Sequence, residues 1–462
     1  MADERTPFGL TRALGEHIAG AARASLPAAC PDLARAAFLD TLSVMVAGRN
    51  EPASRLLRQT RLALGENPPA PSPAMASALA TAAHALDYDD VAFGGHPSAV
   101  IVPAVLVAAL LEGRWDGMAL LRAYAAGYET WAEIASREPR KYHARGLHPT
   151  GLLGPFAAAA AAASVLGLDA GRCAAALSLA GSASAGLMAN FGSMAKPLHA
   201  GRACAAGLES AYLARAGYTA ARDALEAAAG FLRAYSPSGC PDLQRPVRGF
   251  GQSGGWMLER HAPSVKRYPV CYAGHRCIDA ALSVRRQVEE RGGARGIARI
   301  VARLSQRNSD ILRFRRPATP AEARFSLEYF IASALDGGNV GLRDLAGDMI
   351  RRPRRLALMP RIERRIETEL DPDMEGFARA DCVEIVHADG SVTASEPVVR
   401  AKGHEEAPLT RQERMDKAED CLASAGIEAH DRDWFMAETW SLGRRDASAE
   451  PWVRWIAAQV AG

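Results

Sequence analysis

Alanine-rich stretches with few charged residues are the feature that most limits the folds open to this chain. The clearest is PFAAAAAAASVLG at 155–167, and similar stretches recur through the first 255 residues. Alanine is the strongest helix former, and a helix that is apolar on every side is buried among other helices. We therefore predict a helical bundle. Its helices are predicted at 9–25, 32–47, 74–90, 99–112, 117–137, 151–166, 170–181, 198–216 and 221–230.

The character of the sequence changes near 255–270. ARIVARLS at 298–305 alternates in the manner of a strand, and DCVEIVHADGSVTASEP at 381–397 predicts a hairpin that turns at its Asp-Gly pair. RIERRIETEL at 361–370 fits either a strand or a helix. Further helices are predicted at 276–291 and 321–336.

The length of 462 residues exceeds what one hydrophobic core usually supports, so at least two domains are expected. We predict a mainly α protein with a large helical domain at 1–259 and a smaller α+β domain at 260–400. Residues 401–462 are predicted to form helices that return to the first domain.

Charge and cysteine content exclude several classes of function. The net charge of +3 and the lack of a Lys/Arg block argue against a nucleic-acid partner. The eight cysteines are scattered, and the one close pair, Cys271 and Cys277, lacks further cysteines at the spacing of a metal site. The N-terminus has no apolar signal core, and the apolar run at 156–166 is too short for a membrane span. We expect a cytoplasmic protein without a metal ion.

Three short motifs place a basic side chain directly before proline: His96-Pro97, His148-Pro149 and Lys196-Pro197. Proline is favoured at the first position of a helix, and the residue before it is extended. Each basic residue is therefore predicted at a helix N-terminus, where unbonded N–H groups attract anions. If the three helix starts converge, the side chains could hold carboxylates and move protons.

The segment HALDYDDVAFGGHPS at 84–98 carries an acidic run formed by Asp87, Asp89 and Asp90. The glycine-containing turn that follows is expected to bring His96 back to this run. A carboxylate beside an imidazole raises its basicity. The alternative is that the carboxylates cap neighbouring groups at the surface.

Lys196 begins the motif MAKPLHAGRA, ahead of a helix that looks buried. A buried ammonium needs a partner or a polar cavity, and the acidic run at 87–90 is one possible partner. Arg202 could bind a carboxylate in a bidentate manner, whereas His199, on the same helix face, is expected to pack.

In the predicted α+β domain, KRYPVCYAGHRCIDAA at 266–281 places Lys266, Arg267 and His275 around a turn before a helix. Residues 306–308 (Gln-Arg-Asn) are predicted to end a strand, where site loops often begin.

Together the motifs HALDYDD…HPS, GLHPTG, KPLHAGRA and YPVCYAGHRCIDAA, followed by PATPAEARFSLEYFIASALDGG at 317–338, resemble the MmgE/PrpD family. Its members include 2-methylcitrate dehydratase, cis-aconitate decarboxylase and iminodisuccinate epimerase. The resemblance implies a large helical domain built from both chain ends and a smaller α+β lid domain. It also implies a homodimer that needs neither a metal nor an organic cofactor.

By motif, the resemblance assigns the family's active-site aspartate to Asp87 and its two histidines to His96 and His148. The family's lysine falls on Lys196 and the histidine of its lid on His275. Two positions depart from the decarboxylase members, which carry a threonine at the position of Val91 and a tyrosine at the position of Ile311.

The reaction expected from these residues is proton abstraction next to a carboxylate of a small di- or tricarboxylate, most simply a dehydration. Lys196 would hold substrate carboxylates, Asp87 would orient an imidazole, and His96 and His148 would act as base and acid in an order left open. Arg202, Lys266, Arg267 and His275 are the predicted substrate-binding residues. The alternatives are an epimerase of an amino- or imino-dicarboxylate, a cis-aconitate decarboxylase, and a catalytically silent carboxylate-binding protein.

Overall fold

Residues 9–247, 255–444 and 448–461 are described by a computed structural model, in which the predicted mainly α class is confirmed. The N-terminal residues 1–8, part of the segment without an apolar signal core, lie outside this description. Contacts divide the chain into two units. One runs up to Pro263 and resumes at Gln412, and the other comprises Ser264–Arg411.

The first unit begins with a series of helices whose alanine-rich faces pack on one another. They are α1 (Leu10–Ala21), α2 (Cys30–Gly48), α3 (Pro52–Ala63), α4 (Pro73–Ala85), α5 (Ser98–Glu112), α6 (Gly117–Ala135), α7 (Pro149–Leu166), α8 (Ala170–Gly181), α9 (Ala195–Arg215), α10 (Phe231–Tyr235) and α11 (Met257–Arg260).

Small residues allow α9 to lie directly against α4 and α7. A Cβ atom added at Gly201 would lie 2.2 Å from Thr81 Oγ1, and one added at Gly207 would lie 2.4 Å from the carbonyl oxygen of Pro155. These approaches leave no room for a larger side chain. The close packing brings the N-termini of α7 and α9 near the C-terminus of α4.

Helix α7 is the alanine-rich stretch singled out in the sequence. By length and composition alone it could cross a membrane, but 94% of it is buried inside the unit. Its apolar surface is therefore accounted for by neighbouring helices, chiefly α6 and α9.

Several predicted helix boundaries are wrong. The segment 221–230 forms turns instead of a helix, and α4 ends at Ala85 instead of continuing to residue 90. Helix α3 is not among the individually predicted helices, but it lies within the first 255 residues, which are predicted to be almost wholly helical. Helix propensity acts locally, whereas tertiary contacts decide where each helix ends.

The second unit contains helices and one small sheet. Its elements are α12 (His275–Glu290), β1 (Ile297–Ser305), α13 (Gln306–Ile311), α14 (Pro320–Ala323), α15 (Leu327–Gly337), α16 (Gly347–Ile350), α17 (Pro353–Leu358), β2 (Ile362–Glu367), β3 (Cys382–His387) and β4 (Val392–Ala394).

The four strands lie in the order β2-β1-β3-β4. Strand β1 pairs in parallel with β2 and antiparallel with β3, so that Ile300 lies opposite both Ile362 and Ile385. The predicted strand at 298–305 and the predicted hairpin at 381–397 are confirmed, and the ambiguous segment 361–370 contains a strand. Residues 306–308, predicted to end a strand, instead form the first turn of α13, because Ser305 accepts a hydrogen bond from the Asn308 N–H and caps the helix.

Three helices close the chain and belong to the first unit: α18 (Arg411–Ser424), α19 (Ala429–Ser441) and α20 (Glu450–Ala461). Trp452 fixes α20, since its ring lies 5.8 Å from that of Phe38 and its indole N–H donates to Thr439 Oγ1 at 2.9 Å. Helix α18 brings Lys417 into the interior of the unit.

Candidate active site

The three proline-marked helix starts converge in the first unit. His148 is the N-cap of α7 and has the extended backbone expected before proline. His96 lies two residues before α5. The prediction that Lys196 precedes its helix is wrong by a fraction of a turn, since α9 begins at Ala195 and Lys196 is its second residue. Proline is accommodated there because the N–H groups of the first turn have no partner within the helix.

Imidazole rings form the centre of this cluster. The ring centroid of His84 lies 4.4 Å from that of His96 and 5.6 Å from that of His148, and the rings of His96 and His148 are 6.4 Å apart. All three side chains are buried. The sequence motifs therefore meet at one point.

Two carboxylates of the acidic run face the cluster with different partners. One oxygen of Asp89 lies 2.8 Å from His84 Nδ1 and 3.2 Å from His96 Nδ1. An oxygen of Asp87 accepts a hydrogen bond from Lys196 Nζ at 2.7 Å and lies 3.9 Å from His96 Nε2. Asp89 is thus the carboxylate closest to the imidazoles, a place predicted for Asp87, while Asp87 is the partner of the lysine.

The backbone after α4 turns sharply enough to aim both carboxylates inward. Asp87 adopts a left-handed conformation with φ of 52°, which aspartate tolerates better than most residues. A second reversal follows, in which Phe93 also has a φ of 52° and Ala92 bridges Gly95. The turn returns the chain to His96, as the sequence predicts.

Asp90, the third member of the acidic run, faces the helical core. It accepts hydrogen bonds from the backbone N–H and the hydroxyl of Ser98, whose oxygen also lies 2.8 Å from the Tyr124 hydroxyl. Burial, together with the neighbouring Asp40 and Asp89 carboxylates, raises the pKa of Asp90 to about 8. Asp90 therefore anchors the start of α5.

Burial sets the protonation states at the centre of the cluster. It lowers the pKa of His84 to about 3 and holds the pKa of His148 well below its usual value, an effect strengthened by the nearby Lys196 ammonium. Burial opposes ionisation of Asp89, but the facing imidazoles of His84 and His96 outweigh it and keep the pKa of that carboxyl well below its usual range. Near neutral pH, His148 is therefore neutral.

His199, expected only to pack, contacts the cluster. Its Nδ1 atom lies 3.0 Å from His148 Nδ1, so one of the two nitrogens donates and the other accepts. Phe191 packs on the same group, with its ring 4.9 Å from that of His148 and 5.3 Å from Lys196 Nζ. The contacts with His199 and Phe191 fix the orientation of the His148 ring. The Nε2 atom of this ring has no hydrogen-bond partner among the described residues.

Gly186 leaves the space in which this histidine pair forms. A Cβ atom added there would lie 3.2 Å from His148 Cβ and 3.3 Å from His199 Nδ1. We expect Gly186→Ala to push the rings apart and to lower the free energy of unfolding by about 1–3 kcal/mol, the usual effect of overpacking. Urea denaturation measures this. Gly171→Ala, in helix α8 with its nearest atom at 3.4 Å, is the control and is expected to be neutral or stabilising. Equal stability of the two variants would contradict the prediction.

His84, Asp87, Asp89 and His96 each offer a ligand atom, and these atoms lie within 4.8 Å of one another. Such nitrogen and carboxylate donors could hold a divalent ion such as Zn²⁺. Lys196 Nζ already lies 2.7 Å from Asp87, however, and would repel a second cation. These residues therefore fit a cluster in which the Lys196 ammonium offsets the negative charge of the carboxylates better than they fit a metal site.

The predicted substrate-binding residues do not join this cluster within the first unit. Arg202 is exposed on α9 and lines a surface depression with Glu66 and Glu209. It lies away from the cluster because a residue six positions after Lys196 faces a different side of the helix. Substrate binding by Arg202 stays a prediction.

The other three predicted binding residues belong to the second unit. Lys266 is buried, whereas Arg267 is exposed with its guanidinium 5.6 Å from the Tyr268 ring. His275 is the first residue of α12, and its Nε2 lies 3.2 Å from the carbonyl oxygen of Val270. Substrate binding by these residues stays a prediction.

Three residues of the cluster lie outside the catalytic set predicted from the sequence: His84, Asp89 and His199. A signal for His84 is present in the sequence, since it stands three residues before Asp87 and would share a face with it in the helix predicted at 74–90. The contact between His199 and His148 joins two different helices and has no local signal.

Comparisons with known proteins identify the family of this chain. Residues 12–244 match the model of the MmgE/PrpD N-terminal domain, and residues 268–442 match that of the MmgE/PrpD C-terminal domain. Human cis-aconitate decarboxylase is 30% identical over 355 residues, covering 73% of this chain and 69% of the human protein. The mouse cis-aconitate decarboxylase is 28% identical over 351 residues, with the same coverage. The chain belongs to the MmgE/PrpD family.

Proposed function

We propose that this protein is a lyase that acts on a small di- or tricarboxylate by moving a proton at a carbon next to a carboxylate. The observation that carries the proposal is the convergence of His96, His148 and Lys196 beside Asp87 and Asp89. Two imidazoles and one ammonium at a buried point supply a base, an acid and a positive charge.

His148 is the general base. It is neutral near pH 7, since burial holds its pKa well below the usual value, so it can accept a proton. In the tautomer in which His148 Nδ1 donates its proton to His199 Nδ1, Nε2 carries no proton and can face the substrate carbon. The proton removed from that carbon moves to Nε2.

His96 is the matching acid. It lies within 4 Å of both Asp87 and Asp89, and nearby carboxylates stabilise an imidazole that carries a proton. In a dehydration the electrons of the broken C–H bond form the alkene and the C–O bond breaks. The departing hydroxyl takes the proton of His96 and leaves as water.

Lys196 stabilises the intermediate. Removal of a proton next to a carboxylate places negative charge on the carboxylate oxygens, and a nearby ammonium lowers the energy of that state. Because an ammonium has three donors, a lysine held by Asp87 can also face a substrate carboxylate. Asp87 would thus hold the Lys196 ammonium in place.

Dehydration is the first reaction that we expect, and decarboxylation is the second. The names of the human and mouse relatives favour decarboxylation of cis-aconitate. Val91 and Ile311, which replace the threonine and tyrosine of decarboxylase members, argue against decarboxylation of cis-aconitate and are compatible with dehydration or epimerisation. In a decarboxylation the carbon that loses CO₂ would take a proton from an imidazole, so both reactions use the same groups. Homodimerisation and a cytoplasmic location stay predictions from the family resemblance.

Incubation with citrate, 2-methylcitrate, tartrate and cis-aconitate tests the proposal. We expect at least one acid to react, with an alkene appearing in the ultraviolet spectrum for dehydration or CO₂ released for decarboxylation. Deuterium uptake from D₂O at the α-carbon, without either product, would instead indicate an epimerase.

Measuring the thermal unfolding of the protein with each of these acids tests the alternative of a catalytically silent carboxylate-binding protein. A ligand bound to the native state raises the apparent stability. Stabilisation by an acid that is neither converted nor exchanged would contradict a lyase and indicate a carboxylate-binding protein.

A further inference from the structure

A lysine from the C-terminal part of the chain reaches the acidic run of the site. Lys417 of α18 is buried, and its Nζ donates a hydrogen bond to the carbonyl oxygen of Tyr88 at 2.8 Å, across 329 residues of sequence. The same Nζ lies 2.6 Å from an oxygen of Asp40 on α2 and 3.9 Å from the centroid of the Tyr88 ring. Lys417 therefore holds both the backbone and the side chain of Tyr88.

Tyr88 stands between the two carboxylates that face the cluster. Its carbonyl belongs to the peptide that joins it to Asp89, so the direction of that carbonyl fixes where the Asp89 backbone lies. Asp87, on the other side, has the left-handed conformation with φ of 52°. Such a conformation costs about 1 kcal/mol or more and persists only where its surroundings hold it.

The ion pair with Asp40 explains how the charged Lys417 side chain can be buried inside the unit. A buried ammonium is strongly unfavourable unless it is paired and hydrogen-bonded. Asp40, which is also buried, supplies the opposite charge, and the Tyr88 carbonyl and ring supply further favourable contacts. If Lys417 served only to join α18 to α2, the pair with Asp40 would be enough.

We propose that Lys417 is a positioning residue that holds the Tyr88–Asp89 peptide so that Asp87 faces Lys196 and Asp89 faces His84 and His96. The turnover arm of its test rests on the proposed function, whereas the structural arm does not. Lys417 acts through the backbone and touches none of the proposed catalytic side chains in the described contacts.

The test compares Lys417→Met with Arg137→Met by hydrogen exchange in the full chain. Methionine keeps the length of lysine and removes the charge. Arg137 is a matched control, because it is also fully buried in the first unit and pairs with Glu133 and the Asp242 carbonyl, far along the chain from the acidic run. We expect the amides of residues 87–91 to exchange about ten-fold faster or more in Lys417→Met only, the factor that corresponds to a lost hydrogen bond from a charged donor.

The second measurement is the turnover of whichever acid the wild-type protein converts among citrate, 2-methylcitrate, tartrate and cis-aconitate. We expect Lys417→Met to lower kcat by about 10–100-fold with KM within a few-fold, since small displacements of catalytic groups have effects of this size. Arg137→Met is expected to lower stability but to leave kcat within a few-fold of wild type.

Lys417→Arg keeps the charge opposite Asp40 and so covers the case in which Lys417→Met does not fold. Its planar guanidinium cannot reproduce the ammonium contacts, and we expect intermediate exchange rates and an intermediate kcat. Unchanged exchange at 87–91 in the folded variants would overturn the positioning role. A wild-type protein that converts no carboxylate would instead overturn the proposed function, with the exchange result still deciding the role of Lys417.

Discussion

Replacing His148 with glutamine is expected to lower kcat by about 10²–10⁴-fold, the usual contribution of a general acid–base group. Glutamine can still contact His199, but it cannot accept a proton from the substrate carbon. KM is expected to stay within a few-fold, because Lys196 and the helix N-termini remain. Steady-state kinetics on the acid that the wild-type protein converts provide the measurement.

His17→Gln is the matched control for this variant. His17 lies in α1 of the same unit, and burial lowers its pKa to about 3, so it is another buried neutral imidazole. It should have no effect on kcat beyond a few-fold. If His148→Gln behaved like His17→Gln, the assignment of His148 as the base would be wrong.

The pH dependence of the wild-type protein gives an independent check on His148. Because its pKa is lowered, the imidazole stays neutral as the pH falls through the range near 6.5 in which an ordinary histidine takes up a proton. Activity that depends on this base should persist through that range and decline only at lower pH. A loss of kcat/KM centred near pH 6.5 that is absent in His148→Gln would show that His148 titrates as an ordinary histidine and would contradict its lowered pKa.

Replacing Lys196 with methionine is expected to lower both stability and turnover. The buried Asp87 carboxylate loses the ammonium 2.7 Å away, and breaking a buried ion pair from one side usually costs about 3–5 kcal/mol. Turnover is expected to fall by at least about 10²-fold, because the positive charge that stabilises the intermediate is gone. Urea denaturation and steady-state kinetics measure the two effects.

The double variant Asp87→Asn with Lys196→Met separates the two losses. Asparagine keeps the left-handed backbone at residue 87 and carries no charge, so we expect stability to recover in part while turnover stays low. Arg215→Met, which breaks a half-exposed pair with Glu112, is the control and should change stability by less than about 1 kcal/mol. A double variant no more stable than Lys196→Met would contradict the ion-pair argument.

Local rules explain why much of the site can be predicted from the sequence. His96, His148 and Lys196 each precede a proline, and the constraint of proline on its neighbours acts over one or two residues. The return of His96 towards the acidic run follows from a glycine-containing turn of the same short range. Arg202 shows the limit of such rules, since its charge indicates a binding role but its position on α9 turns it towards the surface.

The division of roles within the acidic run depends on the turns of the backbone after α4 as well as on packing between helices. Asp87, Asp89 and Asp90 are nearly equivalent as a sequence, yet one pairs with Lys196, one faces two imidazoles and one anchors Ser98. The partner of Asp87 is distant in the sequence, whereas His84 lies five residues from Asp89 and Ser98 lies eight residues from Asp90. The pKa of Asp89 falls and that of Asp90 rises for the same reason, since burial acts on both but only Asp89 faces imidazoles.

By itself, the sequence determined a mainly helical protein and the presence of three basic helix starts, because helix propensity and the effects of proline act locally. The resemblance of its motifs identified the family. Only the tertiary structure decided that His84 and Asp89 complete the cluster, that His199 contacts His148, and that Lys417 reaches Tyr88 from the far end of the chain. The contacts of His199 and Lys417 join distant segments, and the close packing of small residues between helices that brings them together cannot be inferred from any one segment. His84 and Asp89 lie only five residues apart, but their meeting with His148 and Lys196 depends on the same packing between helices.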